Sequence, residues 1–153
     1  MPLQFDLLDS GAFEDGSALG ISDREIVELL AAFRPLGFFR IELDTGLFYA
    51  TSEIYHIFGM ELVDGPMDMR EFRAHLHPDD LPTLMSAFER AAVHHEMYHK
   101  IYRVRRPDNS YKYVRSVGKF RHKPDCSGEI VGVTYEFFER FRTVAFQQEQ
   151  PVT

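Results

Sequence analysis

The feature that most constrains the fold is a run of three strand-like segments in the second half of the chain. Residues 98–106, 111–122 and 129–139 are rich in Val, Ile, Tyr and Phe, and the short turns PDNS (107–110) and PDCSG (124–128) separate them. Turns of this length cannot hold a crossover helix, so consecutive segments must pair as antiparallel strands. The chain must therefore contain an antiparallel sheet.

Two further strands and several helices are predicted before this run. The segments GFFRIEL (37–43) and LFYAT (47–51) flank the turn DTG and form a hairpin. Short helices are expected up to Phe58 and after Asp68, and Asp79 is expected to cap a longer helix. This order predicts an α+β fold, in which a five-stranded antiparallel sheet has its helices inserted between the second and third strands.

An amphipathic helix is predicted ahead of the first strand. Ser22 and Glu25 have the spacing of a capping box, and Pro35 ends the pattern. An apolar stripe at helical spacing must be covered, either by the chain's own sheet or by a partner. We expect it to form a homodimer interface through Ile26, Leu29, Leu30 and Phe33.

The pattern predicts four regions along the chain. Residues 1–20 are Gly-rich and acidic and are expected to form a flexible arm, and residues 21–35 hold the flanking helix. Residues 36–140 form the folded domain, and residues 141–153 form a C-terminal tail.

Composition excludes several classes of partner. The 153 residues carry a net charge of −7, which disfavours both nucleic acid and an anionic membrane surface as partners. The N-terminus lacks the basic start and apolar core of a signal peptide, and there is no long apolar run. With a single cysteine, Cys126, the chain is expected to be cytoplasmic.

The stretch HEMYH offers an alternative function, since His95-Glu96-x-x-His99 matches the zinc hydrolase pattern H-E-x-x-H. That pattern requires both histidines on one helix face. Because residues 98–106 are predicted to form a strand, the two histidines should instead straddle a helix-to-strand boundary. We therefore predict no metal site and no enzymatic role. A small metal-dependent hydrolase, or another enzyme acting in a pocket, remains the alternative.

Several motifs together resemble the PAS domains of bacterial signalling proteins. The resemblance covers residues 37 to about 140. It includes the opening GFFRIELDTG (37–46), Ile57-Phe58-Gly59 and, most specifically, Leu76-His77-Pro78-Asp79-Asp80 before the long helix. The run from Tyr102 to Val114 is similar to the family's central hairpin, with Asn109 in place of the usual Gly.

The resemblance implies a sensory and signal-transduction module that binds a small ligand or mediates protein association. Haem-binding relatives carry a ligating histidine in or beside the long helix, and residues 79–93 contain none. Flavin photosensors need a helical reactive cysteine, whereas Cys126 lies in a turn. The resemblance thus implies neither haem nor flavin, and it leaves the cofactor and the effector protein unknown. A small apolar ligand would contact inward-facing residues of the opening strand, the long helix and the third strand, namely Phe39, Ile41, Met85, Phe88, Tyr102 and Val104.

Overall fold

The computed structural model describes residues 15–137. It contains five strands, four α-helices and a 3₁₀ turn at Ser17–Leu19. In chain order the elements are α1 (Asp23–Ala31), β1 (Leu36–Glu42), β2 (Phe48–Ala50), α2 (Ser52–Phe58), α3 (Met69–Ala74), α4 (Leu81–His94), β3 (Tyr98–Arg105), β4 (Tyr111–Arg121) and β5 (Glu129–Glu136).

All strand pairs are antiparallel, and the order across the sheet is β2-β1-β5-β4-β3. The last strand, β5, is therefore central, where it pairs with β1 on one side and with β4 on the other. Helices α2, α3 and α4 lie in the sequence between β2 and β3. The predicted α+β fold, with its inserted helices, is confirmed.

The hairpin between β3 and β4 closes as its sequence predicts. Asn109 adopts the left-handed conformation with φ of 65°, which Asn tolerates better than most residues. The Asp108 carboxylate accepts a hydrogen bond of 2.9 Å from the Ser110 backbone N–H. These local bonds fix the register in which Tyr102 lies opposite Val114.

The hydrophobic core lies between one face of the sheet, here called the inner face, and helices α2 to α4. Helix α2 buries four of its side chains there, and α3 contributes Phe72. Leu84 and Ala91 of α4 are buried as well. The alternation of β4 places Val114, Ser116 and Gly118 on the inner face.

The start of α4 differs from the sequence prediction. Asp80, one residue after the expected Asp79, occupies the N-cap position, and its side chain makes no capping hydrogen bond. The Asp80 carboxylate binds Arg103 of β3 instead. A local capping rule cannot predict this arrangement, because Arg103 is distant in the sequence.

Helix α1 begins with the predicted capping box, since Ser22 accepts from the Glu25 N–H and Glu25 accepts from the Ser22 N–H. It buries none of its residues against the described part of the chain. Among residues 15–137, no helix has both the length and the apolar character needed to span a membrane.

The four-region division stays a prediction. Most of the expected flexible arm (1–20) and the entire C-terminal tail (141–153) lie outside the described residues. Residues 15–20 hold the 3₁₀ turn, and the described part of the expected folded domain runs to residue 137.

Candidate ligand cavity

A cavity of about 240 Å³ lies within the core, between the inner face of the sheet and the inserted helices. Most of its lining is apolar, and seven of the lining side chains are aromatic rings. These rings are Phe39, Phe48, Phe58, Phe72, Phe88, Tyr98 and Tyr102. A space of this size and character can enclose a small organic molecule.

The rings form a continuous wall across the core. Phe48 stacks on Phe39 with their centroids 5.5 Å apart, and it also lies 5.7 Å from Phe72. Phe58 joins this row to Tyr102, because its centroid lies 4.7 Å from Phe72 and 6.3 Å from that of Tyr102. Each contact adds edge or face interactions to the burial of apolar area. The wall therefore gives the cavity a defined shape.

Phe39 reaches this position because two facing glycines make room for its ring. Gly118 of β4 and Gly132 of β5 are directly paired, and Phe39 pairs with Gly132 from β1. A Cβ atom on Gly132 would lie 2.5 Å from the Phe39 ring and 2.2 Å from the Val117 carbonyl oxygen. Only glycine fits at position 132, and the Phe39 ring lies over the space that the missing side chains of Gly118 and Gly132 leave.

Three hydroxyl groups form a buried polar chain on the inner face of the sheet. The hydroxyls of Tyr102 and Ser116 share a hydrogen bond of 2.9 Å, and those of Ser116 and Thr134 share one of 2.8 Å. All three residues line the cavity. Three hydroxyls carry three protons and the two bonds use two of them, so one proton can be donated outside the chain.

Both tyrosines of the lining stay neutral over the physiological range. Burial raises the pKa of Tyr102, and the nearby hydroxyls of Ser116 and Thr134 only partly oppose that effect. Burial, followed by the proximity of Tyr102, raises the pKa of Tyr98 well above its ordinary value. The polar part of the cavity therefore offers uncharged hydroxyl groups.

One charged side chain, Arg73 of α3, is among the lining residues. Arg73 is exposed, and its Nη2 lies 3.9 Å from the Sδ of Met85, which also lines the cavity. Of the residues that the structure describes, none forms an ion pair with Arg73. The guanidinium thus lies at the rim of the cavity with hydrogen-bonding capacity to spare.

Five of the six residues predicted to contact a ligand line this one cavity. They are Phe39, Ile41, Met85, Phe88 and Tyr102. Val104 is not in the lining, since it is fully buried further along β3, where its backbone bridges to Leu76. Ser116, Thr134 and Arg73 were not foreseen, because the sequence does not reveal the register and helix placement that bring them to the cavity.

A family model described as "PAS fold" matches residues 47–134, which is more than half of the chain. The chain belongs to the PAS fold family. No curated protein is similar enough in sequence to be matched.

Solved structures share the fold of this PAS domain. One is a sensory box histidine kinase/response regulator from Burkholderia thailandensis E264, with a TM-score of 0.58 and 22% identity over 75% of this chain and 85% of that one. Another is a domain of a putative light and redox sensing histidine kinase from Haloarcula marismortui, with a TM-score of 0.60 and 15% identity over 76% of this chain and 100% of that one.

A third structure is the N-terminal domain of a diguanylate cyclase with PAS/PAC sensor from Marinobacter aquaeolei. Its TM-score is 0.57, with 16% identity over 66% of this chain and 94% of that one. At such identities the likeness establishes a shared fold. The family match identifies a PAS domain of the sensory kind found in signalling proteins.

Most of the apolar stripe predicted for the flanking helix is exposed. Helix α1 ends at Ala31, so Phe33 lies just beyond the helix and not on it as predicted. Leu29 is 69% exposed, Leu30 63% and Phe33 79%, while Ile26 is half-buried. No part of the described chain covers these three side chains. Their assignment as a dimer interface therefore remains a prediction about association.

The HEMYH stretch does not form a zinc-binding helix. His95 occupies the C-cap of α4 in a left-handed conformation, and its ring stacks on Phe120 with centroids 3.6 Å apart. Glu96 pairs with Arg90 at 2.7 Å, and His99 lies in β3. The prediction that the two histidines straddle a helix-to-strand boundary is confirmed.

His99 makes a different contact from the one that a metal ligand would make. Its Nε2 accepts a hydrogen bond of 2.7 Å from the Arg115 Nε. The positively charged guanidinium therefore occupies the nitrogen that a metal ion would bind. Burial, followed by the charges of Arg115 and Lys100, lowers the pKa of His99. Within residues 15–137, no group of three or more His, Cys, Asp or Glu side chains is placed to hold a metal ion.

Proposed function

We propose that this PAS domain is a sensory module that binds a small, largely apolar ligand in its core cavity and transmits the bound state through protein contacts. The observation that carries the proposal is the cavity of about 240 Å³, with its aromatic wall and buried hydroxyl chain. The one cysteine, Cys126, is exposed and has no second cysteine to pair with, which favours a cytoplasmic location.

The packing of the core supports ligand binding. Protein interiors are normally filled to the density of organic crystals, and apolar cavities are costly. The side chains that line such a cavity have fewer packing partners than those of a filled core, and this costs packing energy. A ligand that fills the space recovers part of this energy, so its binding stabilises the folded state.

The hydroxyl chain supports selectivity for a ligand with at least one polar group. A purely apolar guest would leave the spare proton of the Tyr102, Ser116 and Thr134 chain without a new acceptor. A guest that carries a hydroxyl or carbonyl group can accept it. We therefore expect an aromatic alcohol to bind more tightly than the aromatic hydrocarbon that has the same ring but no hydroxyl group.

The experiment uses 2-phenylethanol and ethylbenzene as probes and the shift of melting temperature as readout. The alcohol should raise the melting temperature of the wild type more than ethylbenzene does. Phe88→Trp narrows the cavity and should abolish both shifts. Val93→Trp is the matched control, because Val93 lies on the same helix, is 64% exposed and does not line the cavity.

Two results would contradict the proposal. One is the absence of any shift in the wild type at millimolar probe. The other is an equal shift in the wild type and in a Phe88→Trp variant that still folds, as judged by its unliganded melting curve. Native mass spectrometry of the protein as purified would then show whether a natural ligand is retained.

The exposed stripe on α1 supports homodimerisation as the means of transmission. Three large apolar side chains exposed at the end of α1 and just beyond it, Leu29, Leu30 and Phe33, are uncommon on a soluble monomer and typical of an interaction surface. Pairing two copies of α1 would bury both stripes. The effector protein that reads such a dimer stays unknown.

A further inference from the structure

We propose that the ligand of the cavity is a small organic anion, a monocarboxylic acid whose apolar body lies among the aromatic rings and whose carboxylate binds Arg73 at the rim. This inference rests on the proposed function, because it assigns a chemical class to the ligand of the same cavity. It depends on the position of Arg73 and on the charge of the other lining groups.

Among the lining residues that the structure describes, Arg73 is the single charged side chain and none is acidic. The tyrosine, serine and threonine hydroxyls of the lining are neutral. An anion in the cavity would therefore meet one cation and no opposing negative charge. A ligand ammonium group would lie beside that cation without a carboxylate to pair with, so the lining selects against cations.

The guanidinium is available for such a contact. The structure gives its Nη2 one weak neighbour, the Met85 Sδ at 3.9 Å, and no described carboxylate pairs with Arg73. A guanidinium presents parallel N–H donors that match the two oxygens of a carboxylate. Because Arg73 is exposed, the bound carboxylate would keep part of its hydration, which limits the cost of desolvation.

The volume limits the size of the acid. An engineered apolar cavity of about 150 Å³ holds a benzene molecule, and the present cavity is about 240 Å³. The present cavity can therefore hold a benzene ring together with a short side chain. With the ring against the wall formed by Phe39, Phe48 and Phe72, a chain of two or three carbons would lead towards the rim.

The test compares 3-phenylpropanoate with 3-phenylpropanamide, which has the same shape without the charge, by isothermal titration calorimetry on the full chain at neutral pH. The acid should bind more tightly than the amide by a factor of about two to five, as expected for an ion pair at an exposed site. Raising the salt concentration should weaken the binding of the acid and leave the binding of the amide unchanged.

Three variants assign the preference to Arg73. Arg73→Gln should reduce acid binding to the level of the amide without changing amide affinity, and Arg73→Lys should keep part of the preference. Arg70→Gln is the matched control, since Arg70 lies on the same helix, is exposed and does not line the cavity. It removes one positive charge of the same helix and should leave the preference intact.

The outcomes separate the two proposals. Equal binding of acid and amide, or a preference that survives in Arg73→Gln, overturns the anion assignment and leaves the ligand cavity standing. If neither compound binds at millimolar concentration, both the assignment and the proposed cavity function are wrong. A preference lost in Arg73→Gln and kept in Arg70→Gln establishes both.

Discussion

The carboxylate of Asp80 accepts three hydrogen bonds from Arg103, one from its backbone N–H at 2.8 Å and two from its guanidinium at 2.9 and 2.6 Å. Asp80 is 2% exposed and marks the start of α4, whereas Arg103 lies in β3. The pair therefore attaches the helix that lines the cavity to the edge strand of the sheet.

The first prediction is that breaking this pair destabilises the fold. Asp80→Asn removes the charge that Arg103 needs, and loss of one partner of a buried ion pair typically costs about 3 kcal/mol or more. Urea denaturation at pH 7 should show a clearly lower midpoint for the variant. The control is Glu28→Gln, which breaks the exposed Arg24–Glu28 pair and should change stability by less than about 0.5 kcal/mol. Similar midpoints for the two variants would rule out the structural role of Asp80.

The second prediction concerns the pH dependence of the same pair. Burial by itself would raise the pKa of Asp80, but the hydrogen bonds and charge of Arg103 outweigh it and lower the pKa below its ordinary value. A carboxyl group with a lowered folded-state pKa stabilises the protein above its unfolded pKa, about 3.9. That contribution is lost as the pH falls through the folded value.

The difference in free energy of unfolding between the wild type and Asp80→Asn should accordingly be constant from pH 7 to about 5 and shrink below about pH 4. Other acids with lowered pKa values, such as Glu129 beside Arg121, are present in both proteins and cancel in the difference. A difference that stays the same down to pH 3 would contradict the prediction.

The third prediction is that Gly132→Ala is poorly tolerated. The added Cβ would meet the Val117 carbonyl oxygen at 2.2 Å, so the paired strands would have to separate. We expect a loss of about 1–3 kcal/mol in denaturation experiments, as for other overpacked sites. Gly118→Ala is the matched comparison, because its nearest contacts are at 3.2 Å, and it should cost less. Equal losses would argue against the close approach at Gly132.

The fourth prediction is that the wild type is a homodimer that depends on α1. Replacing Leu29 and Leu30 with Glu places charges on the apolar stripe, and sedimentation should then show a folded monomer. The control replaces Leu62 and Val63, which are 62% and 48% exposed but lie outside α1, with Glu. This control should remain dimeric. A wild type that sediments as a monomer at micromolar concentration would show that the stripe is not a dimer interface.

The fifth prediction is that the HEMYH stretch retains no zinc. After incubation with zinc and dialysis, the wild type and His95→Ala should contain equally little metal, because His95 and His99 lie in different elements. One bound equivalent that is lost in His95→Ala would restore the hydrolase alternative. His122→Ala serves as a control for adventitious binding, since His122 is exposed and lies outside the motif.

Local patterns were enough to predict the elements of the fold. The strands, the capping box at Ser22 and the left-handed Asn109 follow from residue types that interact within a few positions. Alternation also placed Phe39, Ile41 and Tyr102 on the inner face of the sheet, and the structure brings them to one cavity. It could not tell how far along β3 the cavity extends, so the predicted set also contained Val104, which does not line the cavity.

Features that depend on distant residues were not predictable in the same way. The capping rule favoured Asp79, whereas Asp80 occupies the N-cap position. The Asp80 carboxylate binds Arg103 of β3 and does not cap the helix. Ser116 and Thr134 share a hydrogen bond only because β4 and β5 pair in one particular register. No periodicity within one segment reveals which hydroxyl will face it from the next strand.

The central position of β5 has a consequence for how the chain folds during synthesis. Its pairing with β1 joins Leu36 to Tyr135, so the sheet cannot close before nearly the entire domain has left the ribosome. Contacts between such distant residues slow folding, because a long loop must be closed before they form. Until β5 arrives, the β1–β2 hairpin and the β3–β4 hairpin each have an unpaired edge. In the nascent chain those edges are the sites where chaperones would act and where mispairing would start.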